Sequence, residues 1–146
     1  MERTFKIIYT SDTHGHIFPV NYAAGCGESS GLLNLAAQID KNGNTLVLDG
    51  GDSLQGTPLV QYYLAHADEF PHHPVAEAFN AMGCDYFTLG NHDFNFDYDA
   101  LRAYLCAMDG VCLCANVQDL GGALPLLPET VHTLKNGLRI GITGIV

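Results

Sequence analysis

The sequence predicts an α/β protein with a largely parallel sheet, because strand-like and helix-like segments alternate along its 146 residues. Short apolar runs rich in β-forming residues are followed by segments whose apolar residues recur at helical spacing. Hydrophobic residues make up 47% of the chain and charged residues 15%, which is the composition of a globular protein. The length is that of one ordinary domain.

The strands are predicted where an apolar run is short and bounded by turn residues. The predicted strands of the sheet are 5–10, 45–49, 85–89 and 111–115. A hairpin is predicted from about 130–134 to 138–145, because Asn136-Gly137 is a turn signal between two strand-like runs.

The helices between these strands are predicted from their start and stop signals. Apolar residues at helical spacing over 32–39 indicate the first helix. Thr57 followed by Pro58 is typical of a cap and first turn, and Pro74 opens the next helix in the same way. Asp97 is predicted to cap the last helix.

Charge and composition argue against several classes of binding partner and site. Six lysines and arginines against 16 aspartates and glutamates give a net charge of −10, which argues against binding a nucleic-acid polymer. No apolar run approaches the roughly 20 residues of a membrane helix. The N-terminal residues lead directly into a strand-like run without a signal-peptide core, and the localisation stays open. The five cysteines lack the paired spacing of a zinc ribbon.

Three of the predicted strands end in polar clusters flanked by glycine. The clusters are SDTHGH at 11–16, DGGD at 49–52 and GNHD at 90–93. The carboxyl ends of strands share one edge in an open α/β sheet, and ligands bind there. The three clusters are therefore expected to converge.

The residue types in these clusters suit divalent metal ions. Asp12 and His14, one residue apart, can point the same way from extended backbone and bind a single ion. Asp52 has two oxygens and can bridge two ions, and Asn91 offers a neutral carbonyl oxygen. His92 follows directly and suits a group that stabilises charge on a phosphate or protonates a departing alkoxide. Because two ions can clamp a phosphate ester and activate water, the clusters predict phosphoester hydrolysis.

The same residue types also have simpler structural interpretations. Polar residues at strand ends can serve only as turn caps, but three such clusters in order favour a site. Ser11 and Ser53 lack the His/Asp arrangement of a serine hydrolase. His72 and His73, which precede a proline far from the clusters, are predicted to be exposed to solvent.

The motifs DTHG, DGGD and GNHDF resemble, in this order, the signature blocks of the calcineurin-like metallophosphoesterase superfamily. Longer segments are similar to its 5′-nucleotidase and 2′,3′-cyclic-nucleotide 2′-phosphodiesterase branch, and most of all to the cyclic phosphodiesterases. They are TSDTHGHIFP at 10–19, QGTPL at 55–59, HPVAEAFNAMGCDYFTLGNHDFNF at 73–96 and CANV at 114–117. The resemblance implies hydrolysis of a cyclic nucleotide or a 5′-nucleotide by the N-terminal half of a helix-flanked β-sandwich.

The resemblance also implies roles for individual residues. One metal site would use Asp12, His14 and Asp52, a second would use Asp52 and Asn91, and His92 would be the catalytic histidine. The intact family holds two divalent ions, and manganese, zinc, iron and magnesium all suit such ligands.

One position departs from the 5′-nucleotidases. Asn95 stands where they usually carry an aspartate that orients the catalytic histidine, whereas the cyclic phosphodiesterases tend to carry asparagine there. Asp93 or Asp97 could supply the missing charge.

The length implies a second expectation. By the resemblance, residues 1–146 correspond to the N-terminal portion of a catalytic domain, whose other half adds metal-binding histidines and is often followed by a nucleotide-binding domain. Both metal sites are then incomplete, with one ion or none retained. The alternative to an active enzyme is therefore a non-catalytic module that binds at most one ion weakly. An uncovered sheet face or edge would favour self-association. Members of this family are often periplasmic, secreted or on the cell surface.

Overall fold

The computed structural model describes residues 2–21 and 23–146 and confirms the α/β fold. The strands are β1 (Lys6–Thr10), β2 (Val20–Asn21), β3 (Cys26–Gly27), β4 (Thr45–Asp49), β5 (Tyr86–Phe87), β6 (Val111–Leu113), β7 (Leu126–Leu127), β8 (Glu129–Thr133) and β9 (Arg139–Thr143). The helices are α1 (Leu32–Ala36), α2 (Pro58–Ala65), α3 (Pro74–Met82) and α4 (Tyr98–Ala107), with 3₁₀ turns at Ala67–Glu69 and Asn91–Phe94.

Five strands form a parallel sheet in the order β1-β4-β5-β6-β7. Thr10, the last residue of β1, lies opposite Asp49, the last residue of β4. Helix α1 lies on the connection from β1 to β4, α2 and α3 lie on the next connection, and α4 lies on the one after that. The carboxyl ends of β1, β4 and β5 are consequently neighbours at one edge of the sheet.

The predicted helix caps are confirmed. The hydroxyl of Thr57 accepts a hydrogen bond from the amide of Val60 at 3.4 Å, and the carboxylate of Asp97 accepts one from the amide of Ala100 at 2.8 Å. Gly83 ends α3 with a left-handed φ of 69°. These contacts satisfy backbone groups that a helix end otherwise leaves without partners.

Helix α1 is shorter than the predicted 32–39. Its N-cap, Gly31, has no side chain to accept a capping hydrogen bond. At the other end, the amides of Gln38 and Ile39 donate to the carbonyls of Leu35 and Ala36, three residues back. The last turn therefore tightens into 3₁₀ geometry, and the α-helix ends at Ala36.

The two faces of the sheet differ in how well they are covered. The helices cover one face, where Val47 of β4 and Phe87 of β5 lie in a core with Phe79 of α3 and Tyr104 of α4. Buried apolar area of this kind is the main stabilising contribution to a fold.

The opposite face is covered in part by the β8–β9 hairpin. The Tyr86 hydroxyl and His132 Nδ1 lie 3.0 Å apart and join this hairpin to β5. Along β1, Ile7 remains 49% exposed and Tyr9 63% exposed. An apolar part of this sheet face therefore meets solvent at the edge strand.

Some elements differ from the predictions. The β2–β3 ladder and β7 were not predicted, because strands of two residues carry too little pattern to recognise. Strand β5 covers only Tyr86–Phe87 of the predicted 85–89. Across the described ranges, the helices all fall short of the length and apolar character needed to cross a membrane.

The prediction that His73 is exposed was wrong, although its neighbour His72 is exposed. His73 is the N-cap of α3, and its Nδ1 accepts from the amide of Ala76 at 3.4 Å. Its ring packs against Tyr63 and Tyr104 at centroid distances of 4.7 and 5.2 Å. Burial lowers the pKa of His73 to about 4, because the charged form loses its hydration.

Candidate metal centre

Three loops leave the carboxyl ends of β1, β4 and β5 side by side. Hydrogen bonds between the first and second loops continue the pairing of β1 with β4. The amide of Asp12 donates to the Gly51 carbonyl, and the amide of His14 donates to the Asp52 carbonyl, both at 2.9 Å. These bonds fix the two loops to each other beyond the end of the sheet. The expected convergence of the polar clusters is thus present.

The second and third loops are in direct backbone contact at Gly51. Its φ is 92°, and a Cβ at this position would overlap the backbone nitrogen of Gly90. Glycine is the residue that adopts this conformation without steric cost and leaves room for the neighbouring chain. A side chain at position 51 would separate the loops.

Asp12, His14 and Asp52 form a group that can hold a metal ion. One ligand atom from each residue lies within 4.8 Å of the others. Asp12 is exposed, whereas His14 and Asp52 are half-buried, so the group is open to solvent on one side. Two carboxylates and an imidazole are a normal ligand set for a divalent cation.

The backbone of these three residues is unusual. Asp12, His14 and Asp52 have φ values of 54°, 48° and 56°, and within the described ranges they are the non-glycine residues with positive φ. The prediction that Asp12 and His14 project from extended backbone was therefore wrong. Left-handed backbone at non-glycine residues costs free energy and concentrates at functional sites. The surrounding hydrogen bonds hold all three in this conformation.

The Asp93 carboxylate fastens the second loop to the third. It accepts hydrogen bonds from the backbone amides of Asp52, Ser53, Leu54 and Gly90, each at 2.9 Å. Only 1% of this side chain is exposed. Burial raises the pKa of Asp93, and the four amide donors oppose that rise because they stabilise the carboxylate.

A second buried carboxylate, Asp49, ends strand β4 beneath the site. It accepts from the Thr10 hydroxyl at 2.6 Å, the Gly51 amide at 2.9 Å and the Ser53 hydroxyl at 3.1 Å. Burial raises its pKa to about 6, and the nearby charge of Asp93 acts in the same direction. Asp49 thus ties the first strand end to the second loop.

Asn91 and His92 begin the 3₁₀ turn of the third loop. The backbone amide of His92 donates to Asp52 Oδ1 at 2.8 Å, and its ring centroid lies 5.5 Å from that of His14. Asn91 is exposed at the first position of the turn. The structure therefore places His92 beside the three-residue group, while the metal-binding role of Asn91 stays a prediction.

Gln55 is a site residue that the sequence did not single out. Its backbone carbonyl lies 2.6 Å from His14 Nδ1, and its side-chain Oε1 lies 2.6 Å from His92 Nδ1. The Asn95 amide nitrogen donates to the same Oε1. The sequence signal for Gln55 is a polar residue directly before a glycine, between the second and third polar clusters.

Asp93 and Asp97, which were expected to supply the charge that Asn95 lacks, bind backbone amides and not His92. Both oxygens of Asp93 accept backbone amides, and Asp97 caps α4. In the described part of the chain, His92 Nδ1 lies 2.6 Å from Gln55 Oε1 and 2.9 Å from the Asn95 amide nitrogen. A neutral amide pair therefore surrounds this side of the imidazole.

A cavity of about 450 Å³ opens beside the metal group, between the first loop and α1. Its lining includes the polar side chains of Asp12, His16, Ser30 and Asn34. A small polar ligand could reach Asp12 from this side.

Both the sequence and the fold of the chain match those of known proteins. Residues 5–142 match the calcineurin-like phosphoesterase family. The chain is 31% identical to the trifunctional nucleotide phosphoesterase protein YfkN of Bacillus subtilis, over 97% of this chain and 11% of that protein. It is also 31% identical to a 2′,3′-cyclic-nucleotide 2′-phosphodiesterase/3′-nucleotidase of Salmonella typhimurium, over 97% of this chain and 24% of that protein.

A solved structure shares the fold. The putative 5′-nucleotidase of Staphylococcus aureus, crystallised with α-ketoglutarate, superposes with a TM-score of 0.77 at 30% identity. The match covers 95% of this chain and 28% of that one. The chain thus spans a quarter or less of the length of the two curated relatives described above.

Proposed function

The chain belongs to the calcineurin-like phosphoesterase family, and from this premise we propose that it provides the metal-binding edge of a nucleotide phosphoesterase. Members of the family are hydrolases that use divalent metal ions. The observation that carries the proposal is the Asp12, His14 and Asp52 group, whose ligand atoms lie within 4.8 Å of one another. We further propose a 2′,3′-cyclic nucleotide as the substrate, with a 5′-nucleotide as the alternative.

The residues at this edge fit a metal ion better than they fit a bare phosphate. Loops 11–16, 49–55 and 90–95 contain four aspartates and three histidines, with Asp49 and Asp93 buried, but none of the six lysines and arginines. A phosphate brought to these carboxylates would meet like charge. Bound divalent cations reverse the sign of the local charge and make an acidic edge suitable for an anionic substrate.

We assign the first ion to Asp12, His14 and Asp52, and we assign Asp52 and Asn91 to a second. When bound, the ions would polarise the phosphate oxygens and make a water molecule more nucleophilic. Asp52 connects the two sets, because its Oδ1 accepts the backbone amide that follows Asn91. Manganese, zinc, iron and magnesium all fit this set of oxygen and nitrogen ligands.

We assign the proton transfer to His92. Its ring lies next to that of His14, so a phosphate at the metal group would have His92 at its side. An imidazolium there can donate a proton to the departing alkoxide, which a cyclic ribose phosphate releases as a ribose hydroxyl. The cavity beside Asp12 gives room for the rest of a nucleotide.

The preference for a cyclic nucleotide is supported by two observations. A Salmonella typhimurium relative carries the cyclic phosphodiesterase name, and Asn95 occupies the position that the sequence resemblance associates with that group. Hydrolysis of a cyclic diester also needs no recognition of a terminal phosphate dianion. The 5′-nucleotidase alternative is supported by the similarity to the Staphylococcus aureus protein.

The test uses the protein expressed from its complete reading frame, stripped of metal and reloaded with Mn²⁺. We expect hydrolysis of 2′,3′-cyclic AMP to exceed that of 5′-AMP, to stop in EDTA, and to fall at least about 100-fold in His92→Ala. His72→Ala, which removes an exposed histidine remote from the loops, should retain full activity. Metal binding without hydrolysis of any nucleotide would contradict the proposal.

For the 146 residues studied alone, a second candidate function is a module that binds one ion without turnover. The observation that favours it is that the clustered ligands found among the described residues, Asp12, His14 and Asp52, suffice for one ion. Assays of this chain alone in Mn²⁺ distinguish the candidates. Turnover of bis-(p-nitrophenyl) phosphate that disappears in His92→Ala would rule out the non-catalytic module.

We also propose that the 146-residue chain self-associates through the β1 edge of the sheet. Ile7 and Tyr9 are half-exposed or more on a strand whose outer side faces solvent. Light scattering should show an oligomer that Ile7→Lys converts to monomer. Leu120→Lys, which changes a 90% exposed leucine elsewhere, should leave the oligomer intact. A wild-type chain that is monomeric at high concentration would contradict the proposal.

A further inference from the structure

Gln55 contacts two histidines through two different parts of the residue. Its backbone carbonyl is the partner of His14, and its side-chain amide is the partner of His92. The geometry points to Gln55 as a positioning residue that fixes the tautomer of both imidazoles, with the proton on Nδ1 and the lone pair on Nε2. The inference deepens the proposed function and rests on it, because it concerns how the same site presents its two histidines.

The first of the two contacts joins the Gln55 backbone to His14. Its Nδ1 lies 2.6 Å from the Gln55 carbonyl oxygen, and a carbonyl oxygen can only accept a hydrogen bond. His14 therefore carries its proton on Nδ1. The lone pair is left on Nε2, which is the atom available to a metal ion. Partners of this kind orient metal-binding imidazoles in many sites.

The close approach of residue 55 to His14 depends on the residue that follows it. Gly56 has a φ of 151°, and a Cβ there would lie 2.6 Å from the Cβ of His14 and 2.7 Å from its carbonyl oxygen. A side chain at position 56 would push the two segments apart. The glycine therefore allows the Gln55 carbonyl to reach the imidazole.

The second contact joins the Gln55 side chain to His92. Gln55 Oε1 lies 2.6 Å from His92 Nδ1, and the Asn95 amide nitrogen donates to the same oxygen. An amide oxygen has two lone pairs and can accept both donors. Asn95 also lies 2.9 Å from His92 Nδ1, but two donors facing each other do not bond, so Gln55 Oε1 is the shared acceptor.

This arrangement determines where the His92 protons are held. The neutral ring has its proton on Nδ1 and an acceptor at Nε2, and the charged ring has its additional proton at Nε2. That atom is the one that can deliver a proton to a leaving group in the proposed reaction. In this chain the orienting group is a neutral amide, since the Asp93 and Asp97 carboxylates accept backbone amides elsewhere.

The backbone contact and the side-chain contact of Gln55 predict different responses of the two histidines to one substitution. Gln55→Ala removes the side-chain oxygen but keeps the backbone carbonyl, so His14 should retain its Nδ1 proton. His92 should lose it, because the Asn95 amide would then donate to the vacated Nδ1 lone pair and move the proton to Nε2. His14 is thus an internal control within the same molecule. Gln55→Glu restores an acceptor and should restore the Nδ1 proton on His92.

The test is long-range ¹H–¹⁵N correlation NMR of the histidine side chains in the metal-free, substrate-free protein at pH 8, with His92→Asn to assign the His92 signals. We expect the Nδ1–H form for His14 and His92 in the wild type, and the Nε2–H form for His92 alone in Gln55→Ala. Gln61→Ala, an exposed glutamine on α2, should leave both rings unchanged.

An Nε2–H form of His92 in the wild type, or no change in Gln55→Ala, would overturn the inference. So would the Nε2–H form in Gln55→Glu, or a simultaneous change of both rings in Gln55→Ala. Because the measurement involves neither metal nor substrate, its result is independent of whether the protein hydrolyses nucleotides. Failure of the proposed function would instead appear in the nucleotide assay with Mn²⁺.

Discussion

Two pairs of aspartates lie at the same edge of the sheet, and they differ in what surrounds them. Asp49 and Asp93 are 4% and 1% exposed, and their oxygens accept hydrogen bonds from the loops. Asp12 is exposed and Asp52 is half-buried, and both have left-handed backbone. The buried pair fastens the loops to one another, while the accessible pair belongs to the group that can hold a metal ion.

The difference shows how an unfavourable backbone conformation is maintained at this site. The amide of Asp52 donates to Asp93, and the Gly51 amide next to it donates to Asp49. The amide of Asp12 in turn donates to the Gly51 carbonyl. The hydrogen bonds that hold each accessible aspartate therefore depend on a buried aspartate. These bonds keep the accessible aspartates in their unfavourable left-handed conformation.

The largest effect should come from removing the buried acceptor that serves most donors. Asp93→Ala would leave the buried backbone amides of 52, 53, 54 and 90 without their partner, and each lost partner is costly. We expect the free energy of unfolding to fall by about 4 kcal/mol or more in urea denaturation.

Asp97→Ala is the matched control, because this aspartate accepts a single amide as a helix cap. Its cost should be about 1 kcal/mol. If both variants lost equally little stability, Asp93 would not be the fastening group that the contacts indicate.

The next effect concerns pH and a buried histidine. The folded-state pKa of His73 is lowered to about 4 from an ordinary 6.5, so it is neutral in the folded protein when the unfolded chain already binds a proton. Above pH 6.5, His73 is neutral in both states and does not lower the free energy of unfolding. As pH falls from 6.5 toward 4, the unfolded chain alone binds the proton, and the free energy of unfolding decreases by about 3 kcal/mol in total. Asp49 acts in the opposite direction, because its raised pKa of about 6 favours the folded state as pH falls through 6 to 4.

Because the two groups offset each other, a comparison with His73→Asn isolates the histidine. Asparagine is a good helix cap and does not titrate, so the variant should gain stability relative to the wild type as pH falls. Urea denaturation at pH 7, 5.5 and 4.5 measures this difference. His72→Asn, at the neighbouring exposed histidine, should follow the wild type at every pH. A parallel pH dependence of His73→Asn and wild type would refute the assigned burial effect.

A smaller effect of opposite sign is expected at an accessible aspartate. Asp12→Gly relieves the left-handed backbone of an exposed residue, and in EDTA it should raise the free energy of unfolding by about 1 kcal/mol. The same variant should lose the stabilisation that Mn²⁺ gives the wild type. Thermal unfolding with and without Mn²⁺ measures both. A loss of stability comparable with Asp93→Ala would erase the distinction between the two pairs of aspartates.

Much of the fold could be predicted because it depends on local pattern. Strands β1, β4 and β6 follow from short apolar runs, and Thr57 and Asp97 occur where helix caps are expected. Other features depend on tertiary packing, which the local sequence pattern does not indicate. His73 is buried because α3 places it against Tyr63 and Tyr104, which no local signal indicates.

The candidate site was predictable in its residue types and less so in its connections. Asp12, His14 and Asp52 were recognisable because a metal needs such ligands at converging strand ends. The bonds of Asp93 to four amides and of Gln55 to two histidines depend on the path of the loops. That path includes positive φ angles at three non-glycine residues, a conformation that the residue types do not favour.

The central claim is that the accessible aspartates and His14 bind a divalent cation, and calorimetric titration of the metal-stripped chain with Mn²⁺ tests it most directly. We predict one ion per chain, because three clustered ligands serve the first ion and only two residues are assigned to the second. Binding should be lost in Asp52→Ala and retained in Asp40→Ala, which changes an exposed aspartate remote from the loops. Absence of Mn²⁺ binding in the wild type, or equal binding in wild type and Asp52→Ala, would contradict the account.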